Sequence, residues 1–378
     1  MTLALMIIGL VYLIAMGLLL VGTLQLTEFI SEEKTTKNRF SIVIPFRNEA
    51  ANLPALLESV KKLKYPAAQF ELLFVDDASE DISVALIEEL LKTETELAFQ
   101  VLSNIRTSGS PKKDAITTGI RKAKYEWILT TDADCQVPKY WLREYDAFIQ
   151  KHQPKCIAGP VGYASNRAFI QQYQQMDGWS LQGVAMGSFG LNNPLLCNGA
   201  NLAYRKDAFE QLNGFGGNDH IASGDDIFIL EKMKQAFPKD IQFLKSKEAI
   251  VFTQPCRQWT ELVQQRIRWA SKTSKQKNLA TTALGLIVFA ANLLVVLGLL
   301  LCFIKHELIP YYAAFLGAKL LVDFIFLSRT AAFFTRKVPF VSFLLSVLCY
   351  PVITVCVVLG SFTGSYQWKG RTHKKHIN

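Results

Sequence analysis

Two carboxylates one residue apart, Asp132 and Asp134, have the spacing that suits a hard divalent cation. Mg2+ and Mn2+ take carboxylate oxygens and keep coordination positions open for water and for a substrate's phosphates. A second acidic pair, Asp76 and Asp77, ends another apolar run, and a third, Asp225 and Asp226, follows Ser223 and Gly224. Carboxylates gathered from separate segments repel one another unless a cation intervenes, and a metal carrying a diphosphate supplies that charge. Residue type alone gives the third pair two readings. Acids favour helix N-termini, so the pair caps the helix that follows, or one member takes a proton as a general base. Further along, Arg268 offers a planar fork to phosphate, and Trp269 beside it offers an indole face for a sugar ring.

These groups need strands and helices to carry them. From Phe40 the chain alternates short apolar runs with helical segments, the pattern of a largely parallel sheet with helices on its faces. The spacing predicts strands at FSIVIP (40–45), ELLFVDD (71–77), FQVL (99–102) and WILTTDAD (127–134), with helices over 52–64, 87–92 and 112–124. The acids then fall at strand C-terminal ends, where open parallel α/β sheets bind their ligands. Phosphatases of the haloacid dehalogenase type also end a strand with D-x-D, but there the motif opens the domain, whereas here it closes the fourth strand. No G-x-G-x-x-G follows the first strand and no G-x-x-x-x-G-K-[ST] occurs, which argues against a dinucleotide oxidoreductase or a P-loop enzyme.

The two ends of the chain belong to a different solvent. Residues 3–26 carry no charge and exceed the ~20 residues that cross a bilayer. They lack the basic leader and small-x-small exit of a cleaved signal, so they read as a retained anchor. Apolar stretches follow at about 280–304, 309–328 and 338–362. The middle one holds Lys319 and Asp323, four apart on one helical face, either a mutual salt bridge or part of an acceptor path. With the middle of the chain cytoplasmic, three full C-terminal crossings put the basic tail outside, whereas the positive-inside rule prefers it inside. The stretch containing Pro351 is therefore expected to be re-entrant or interfacial. Residues 259–277 form an amphipathic helix with a basic face, suited to lipid headgroups.

The resulting division is an anchor at 1–29, an α/β domain at 30–256, an amphipathic helix at 257–279, a membrane region at 280–366 and a basic tail at 367–378. The formal charge of +9 is concentrated in that helix and tail, beside apolar spans, which fits an anionic cytoplasmic leaflet. No basic face interleaved with stacking aromatics on a nucleic-acid module is present, so no nucleic-acid partner is expected. Seven scattered cysteines without a C-x-x-C suggest neither a zinc site nor a redox motif.

At this point the residues resemble the membrane-bound branch of family 2 glycosyltransferases, which includes polysaccharide synthases and ceramide glucosyltransferases. IVIPFRNEAANL is similar to the family's opening I-P-x-x-N-E segment, which implies that Pro45, Asn48 and Glu49 lie beside the nucleotide. LLFVDDASED resembles the V-D-D-x-S segment, with Asp77 toward the base and Asp76 beside it. SPKKDAITTGI resembles G-K-x-x-A-L-N-x-G-I and places Lys112 at the family's lysine, although Pro111 and Thr117 depart from the pattern. TTDADCQVP matches the D-x-D segment, NGANLAYRKDAF the acceptor-side segment with Asn198, and SGDDIFI the T-E-D segment. QRIRW is a full Q-x-x-R-W through Gln265, Arg268 and Trp269.

The resemblance implies a GT-A-like, Rossmann-like domain and an inverting transfer from a nucleotide sugar, with UDP as the expected carrier, to a lipid or glycan acceptor at a membrane. In that scheme Mg2+ or Mn2+ binds Asp134 with Asp132 nearby, and Asp226 is the general base with Asp225 in the place of the family's glutamate. Arg268 serves the donor's phosphates, and Gln265, Trp269 and Asn198 serve the acceptor.

Overall fold

The computed structural model describes residues 2–32, 35–164, 168–218, 221, 224–273, 278–362, 365–368 and 371–374. The chain divides into two compact units, Thr27–Ala164 with Leu196–Gln254, and Met1–Leu26 with Ser165–Leu195 and Pro255–Asn378. After helix α1 (Thr2–Gln25), which belongs to the second unit, the first unit opens with β1 (Phe40–Phe46), α2 (Leu53–Lys61), β2 (Phe70–Asp76) and α3 (Ser83–Leu91). It continues with β3 (Ala98–Ser103), α4 (Pro111–Lys122) and β4 (Trp127–Thr130). These four strands are parallel, with β1 between β2 and β4 and β3 outside β2. β1 (FSIVIPF) and β2 (FELLFVD) are buried along almost their whole length, as strands covered by helices on both faces must be.

The chain then forms β5 (Cys135–Gln136), α5 (Trp141–His152), β6 (Cys156–Ala158) and β7 (Val161–Tyr163), and leaves for α6 (Phe169–Gly190) in the second unit. It returns through β8 (Leu202–Arg205), α7 (Lys206–Gln211), α8 (Asp225–Ala236), β9 (Ile241–Phe243) and β10 (Val251–Thr253). The main sheet has seven strands in the order β3-β2-β1-β4-β8-β6-β9, and β5-β10-β7 make a smaller one. β8 runs antiparallel to both its neighbours, so the sheet is mixed and mostly parallel. The expected α/β class is the one observed. One strand differs from expectation: β4 stops at Thr130 rather than 134. Beyond it the chain turns, with the Cys135 N–H donating to the Asp132 carbonyl at 3.1 Å. Asp132 and Asp134 therefore lie past the strand end.

Asn201 ties this unit together. It is fully buried, and its amide nitrogen donates to the carbonyls of Pro160 and Ala249, each at 2.8 Å. Its amide oxygen accepts from the Trp141 indole at 2.9 Å and the Tyr145 hydroxyl at 2.8 Å. One side chain thus joins α5 to the approaches of β7 and β10.

The second unit holds α9 (Trp259–Thr273), α10 (Leu279–Cys302), α11 (Ile309–Phe333), α12 (Phe340–Phe362) and a hairpin of β11 (Ser365–Trp368) and β12 (Arg371–Lys374). Among the described residues, four helices are long and apolar enough to cross a membrane: α1, α10, α11 extended back to His306, and α12. α12 runs as one helix through Pro351, so the break at that proline that the re-entrant expectation rested on is not observed. The pair inside α11 is a three-way contact. Lys319 Nζ donates to Asp323 Oδ2 at 2.6 Å, and the Tyr12 hydroxyl of α1 donates to Oδ1 at 2.6 Å. Both carboxylate oxygens are thereby satisfied and α1 is fastened to α11, which favours the salt-bridge reading.

α6 has no counterpart in the sequence-based expectations. It packs against α1 backbone to backbone, since a Cβ built on Gly187 would lie 2.5 Å from the Leu19 carbonyl oxygen and one on Gly190 would lie 1.9 Å from that of Gly22. Small residues allow such approach between helices in an apolar bundle.

Replacing Asn201 by leucine takes the partner from the buried Ala249 carbonyl and the Trp141 indole N–H, at about 1–3 kcal/mol each. It also removes one bond from the Pro160 carbonyl and one from the Tyr145 hydroxyl, which keep the Val251 N–H and the residue-201 carbonyl. The expected result is loss of the folded α/β unit, seen as rapid tryptic cleavage of detergent-solubilised protein. A digestion rate and thermal midpoint equal to wild type would contradict this role.

Candidate active site

The acids meet where β4 ends. Along Asp132-Ala133-Asp134-Cys135 the apolar residues Ala133 and Cys135 are buried and the two aspartates remain partly exposed. Lys112, in the first turn of α4, points its ammonium at this edge. Its Nζ lies 2.7 Å from Asp132 Oδ1 and 3.3 Å from Asp225 Oδ2. Asp225 and Asp226 form the first turn of α8, reached through Gly224 at φ +88°, a conformation that glycine adopts without strain. Asp226 Oδ1 accepts from the Ile227 N–H at 2.8 Å and Oδ2 from the Gly199 N–H at 3.3 Å. Both acids therefore gain from the helix N-terminus, and they also join the Lys112 cluster.

Gly199 is a site residue that the sequence reading did not single out. A Cβ there would lie 2.8 Å from Asp225 Oδ2, so this glycine keeps the carboxylate's place open. Its carbonyl accepts from the Thr130 hydroxyl at 2.7 Å, which locks it to the end of β4. Neighbouring Asn198 uses its side-chain oxygen to accept from the Ala200 N–H at 3.0 Å.

Burial alone would pull the Lys112 pKa down, but Asp132 first and Asp225 next outweigh it, and the net shift is upward. The sign is that of a cation gaining partners. The stabilisation is complete below lysine's ordinary pKa and is lost only as pH rises through the higher folded-state value, so the ammonium persists across the neutral range. Burial, with Asp134 and Asp132 behind it, pushes the Cys135 thiol well up, so that sulfur is inert.

A second polar group forms where β1 and β2 end. Asp77 Oδ1 accepts from Asn104 Nδ2 at 2.7 Å and from Arg106 Nε at 2.6 Å. Arg47 donates to the carbonyls of Asp77, at 2.8 Å, and Ala78. Asp76 Oδ1 instead accepts from the Ser79 N–H at 2.9 Å, which makes it a turn-holding neighbour of Asp77. Glu49 is buried and accepts from Asn52 Nδ2 at 2.7 Å. Pro45 lies within β1, paired in register with Val75. Asn48 and Ala78 both have positive φ, at 52° and 58°, which is backbone strain of the kind that collects at ligand sites. Arg47, Asn104 and Arg106 were missed in the sequence. The available signal was that Asp77 needs a counter-charge and that Arg106 is the first basic residue after β3, the neighbouring strand.

Lys113 was missed as well. Its buried ammonium donates to the carbonyls of Asn218 at 2.6 Å and Ile221 at 3.0 Å, and lies 4.5 Å from the Phe228 ring centre. Adjacent lysines on α4 thus divide their tasks, one facing carboxylates and the other fastening the approach to α8.

Gln265, Arg268 and Trp269 lie on α9, in the other unit. Among the described residues no group of three or more His, Cys, Asp or Glu converges as a complete metal cage. The two partly exposed carboxylates at 132 and 134 are of the type that holds Mg2+ when a substrate's oxygens complete the coordination.

Comparison with known proteins bears on the family and the fold. A model described as "Glycosyl transferase family 2" matches residues 41–212, and one described as "Glycosyl transferase family group 2" matches residues 127–362. The chain is 37% identical over 102 residues to undecaprenyl-phosphate 4-deoxy-4-formamido-L-arabinose transferase of Proteus mirabilis, a match over 27% of this chain and 30% of that protein. It is 24% identical over 237 residues to poly-beta-1,6-N-acetyl-D-glucosamine synthase of Staphylococcus epidermidis, over 61% of this chain and 53% of that protein. The matches thus span about a third to a half of these relatives' own lengths. Among solved structures, mannosyltransferase PcManGT from Pyrobaculum calidifontis, in complex with GDP-Man and Mn2+, superposes with a TM-score of 0.54 at 16% identity. That likeness covers 94% of this chain and 99% of that one, and at such identity it is a likeness of fold.

The paired state of Lys112 has a direct chemical readout. At pH 8.5 amine acetylation, followed by mass spectrometry, is expected to label the exposed lysines and spare Lys112, with Asp132→Asn increasing its labelling. Lys112 reacting as fast as Lys122 in the unsubstituted chain would contradict the arrangement.

Proposed function

The chain belongs to glycosyl transferase family 2, and from that premise we propose that it moves a sugar from a nucleoside-diphosphate sugar, with UDP as the carrier, to a lipid or glycan acceptor at a membrane. The observation that carries this reading is the cluster of Lys112 with Asp132, Asp225 and Asp226 at the end of β4. It lies at the ligand-binding edge of an α/β sheet and combines a cation, a D-x-D and a carboxylate held at a helix start.

In the proposed reaction the acceptor hydroxyl oxygen attacks the anomeric carbon as the bond from that carbon to the diphosphate oxygen breaks. One displacement inverts the anomeric configuration. The hydroxyl proton passes to Asp226, whose carboxylate is oriented by the Gly199 and Ile227 N–H groups. Asp134 and Asp132 would hold Mg2+ or Mn2+, which when bound stabilises charge on the leaving diphosphate. Asp77, with Asn104 and Arg106, forms the base end of the donor site, beside Pro45, Glu49 and Asp76. Arg268 serves the diphosphate, and Gln265, Trp269 and Asn198 serve the acceptor.

The α/β unit is proposed to face the cytoplasm, with basic α9 against an anionic leaflet. Both acceptor classes have support. A relative named for an undecaprenyl-phosphate substrate has the higher identity, and a polysaccharide synthase matches the longer stretch. A nucleotide-binding scaffold without catalysis would be expected to have lost an acid of the D-x-D or the base, and all are present.

Membranes carrying the chain, incubated with radiolabelled UDP-GlcNAc, UDP-glucose, UDP-galactose and GDP-mannose, test the reading. One UDP-sugar should label a product, and EDTA or Asp134→Ala should abolish it. Asp226→Asn should slow transfer by about 10²–10⁴ with protein levels unchanged. Label extracted into organic solvent identifies a lipid acceptor, and label retained as polymer identifies a synthase. Wild-type rates from Asp226→Asn would overturn the assignment.

A further inference from the structure

α6 and α9 lie in the same unit and meet through polar and aromatic contacts along one side of α6. Tyr173 packs edge-on against Trp259, with ring centres 5.2 Å apart. Gln174 is fully buried and pairs with the backbone of Cys256 in both directions, donating to its carbonyl and accepting from its N–H, each at 2.9 Å. One turn on, Asp177 Oδ2 accepts from Arg266 Nε at 2.7 Å and also from Arg266 NH2, and both side chains are about nine-tenths buried.

Arg266 is the second residue of the Gln265–Trp269 motif, and its guanidinium is occupied on every side. One nitrogen donates to Gln265 Oε1. Its plane lies over the Trp269 indole, with Cζ 4.2 Å from the ring centre, the geometry of a cation–π contact. Held by Asp177, this one group fixes the side chains at both ends of the motif. A lysine in its place could keep the charge but not the flat, multiply donating fork.

We propose that Asp177 and Arg266 are positioning residues for the transfer. The carboxylate on α6 aims the guanidinium, and the guanidinium sets the rotamers of Gln265 and Trp269 that the acceptor meets. The inference rests on the proposed role of Gln265 and Trp269 at the acceptor. It assigns a function to α6, an excursion from the α/β unit that is otherwise only a packing element.

The test uses the full chain in membranes, with UDP-GlcNAc, UDP-glucose, UDP-galactose and GDP-mannose each as probe donor, and scores label transferred to membrane product against free sugar released by hydrolysis. Asp177→Asn and Arg266→Lys should each lower transfer about 10- to 100-fold, the scale of a misplaced substrate contact, while hydrolysis persists. Asp177→Glu should restore most of the transfer. Arg266→Lys retains an ion pair with Asp177 and carries the test if Asp177→Asn fails to accumulate. In detergent, the emission of Trp269, taken as the difference between wild type and Trp269→Phe, should change in both variants. Transfer-to-hydrolysis ratios at the wild-type value, or Trp269 emission unmoved by Asp177→Asn, overturns the proposal. Absence of transfer by the wild-type chain with any donor overturns the functional reading instead, and the emission then decides the pairing by itself.

Discussion

The Lys112 ammonium lies 2.7 Å from one carboxylate of the D-x-D and 3.3 Å from a carboxylate at the start of α8, and the site depends on that contact. Asp132, Asp225 and Asp226 come from segments far apart in sequence and converge with like charge. At an effective dielectric near 20 each short Lys–Asp contact is worth on the order of 5 kcal/mol before desolvation is set against it. That attraction outweighs the burial of the lysine, as the upward shift of its pKa shows. It also orders three pieces of chain at once: the first turn of α4, the turn after β4 and the first turn of α8. The remaining net charge is negative, as the proposed binding of a metal-carrying diphosphate requires.

The surroundings serve this convergence. Asn201, three residues after Asn198, spends its whole hydrogen-bonding capacity on four buried partners. The segment it anchors carries Gly199, whose missing side chain leaves room for Asp225. Lys113 fastens the approach to α8 from the same turn of α4 that carries Lys112. In the other unit, glycine contacts on one side of α6 and the Gln174 and Asp177 contacts on another make that helix a support for α9.

Much of this was legible in the sequence, for identifiable reasons. Internal parallel strands are continuous apolar runs, so FSIVIPF and ELLFV mark themselves and the acids that follow mark their ends. The spans announce themselves by length. What could not be read depends on partners distant in the chain. α6 is covered on several sides and rich in glutamine and glycine, so it shows neither an amphipathic period nor a membrane-span signature. Arg106 gains meaning only once β3 lies beside β2, and Arg266 only once α6 supplies Asp177, 89 residues earlier. The early end of β4 goes with the turn that the Cys135 N–H closes on the Asp132 carbonyl and with the Thr130 hydroxyl's bond to the distant Gly199 carbonyl, which no local propensity encodes.

The measurement that bears most directly on the central contact is a double-mutant cycle between Lys112→Met and Asp132→Asn, read as kcat/KM for release of nucleoside diphosphate from the productive donor. If one ammonium balances the D-x-D, the two losses will overlap, with a coupling of about 1–3 kcal/mol. Losses that simply multiply would show that the two residues act independently and would contradict the account.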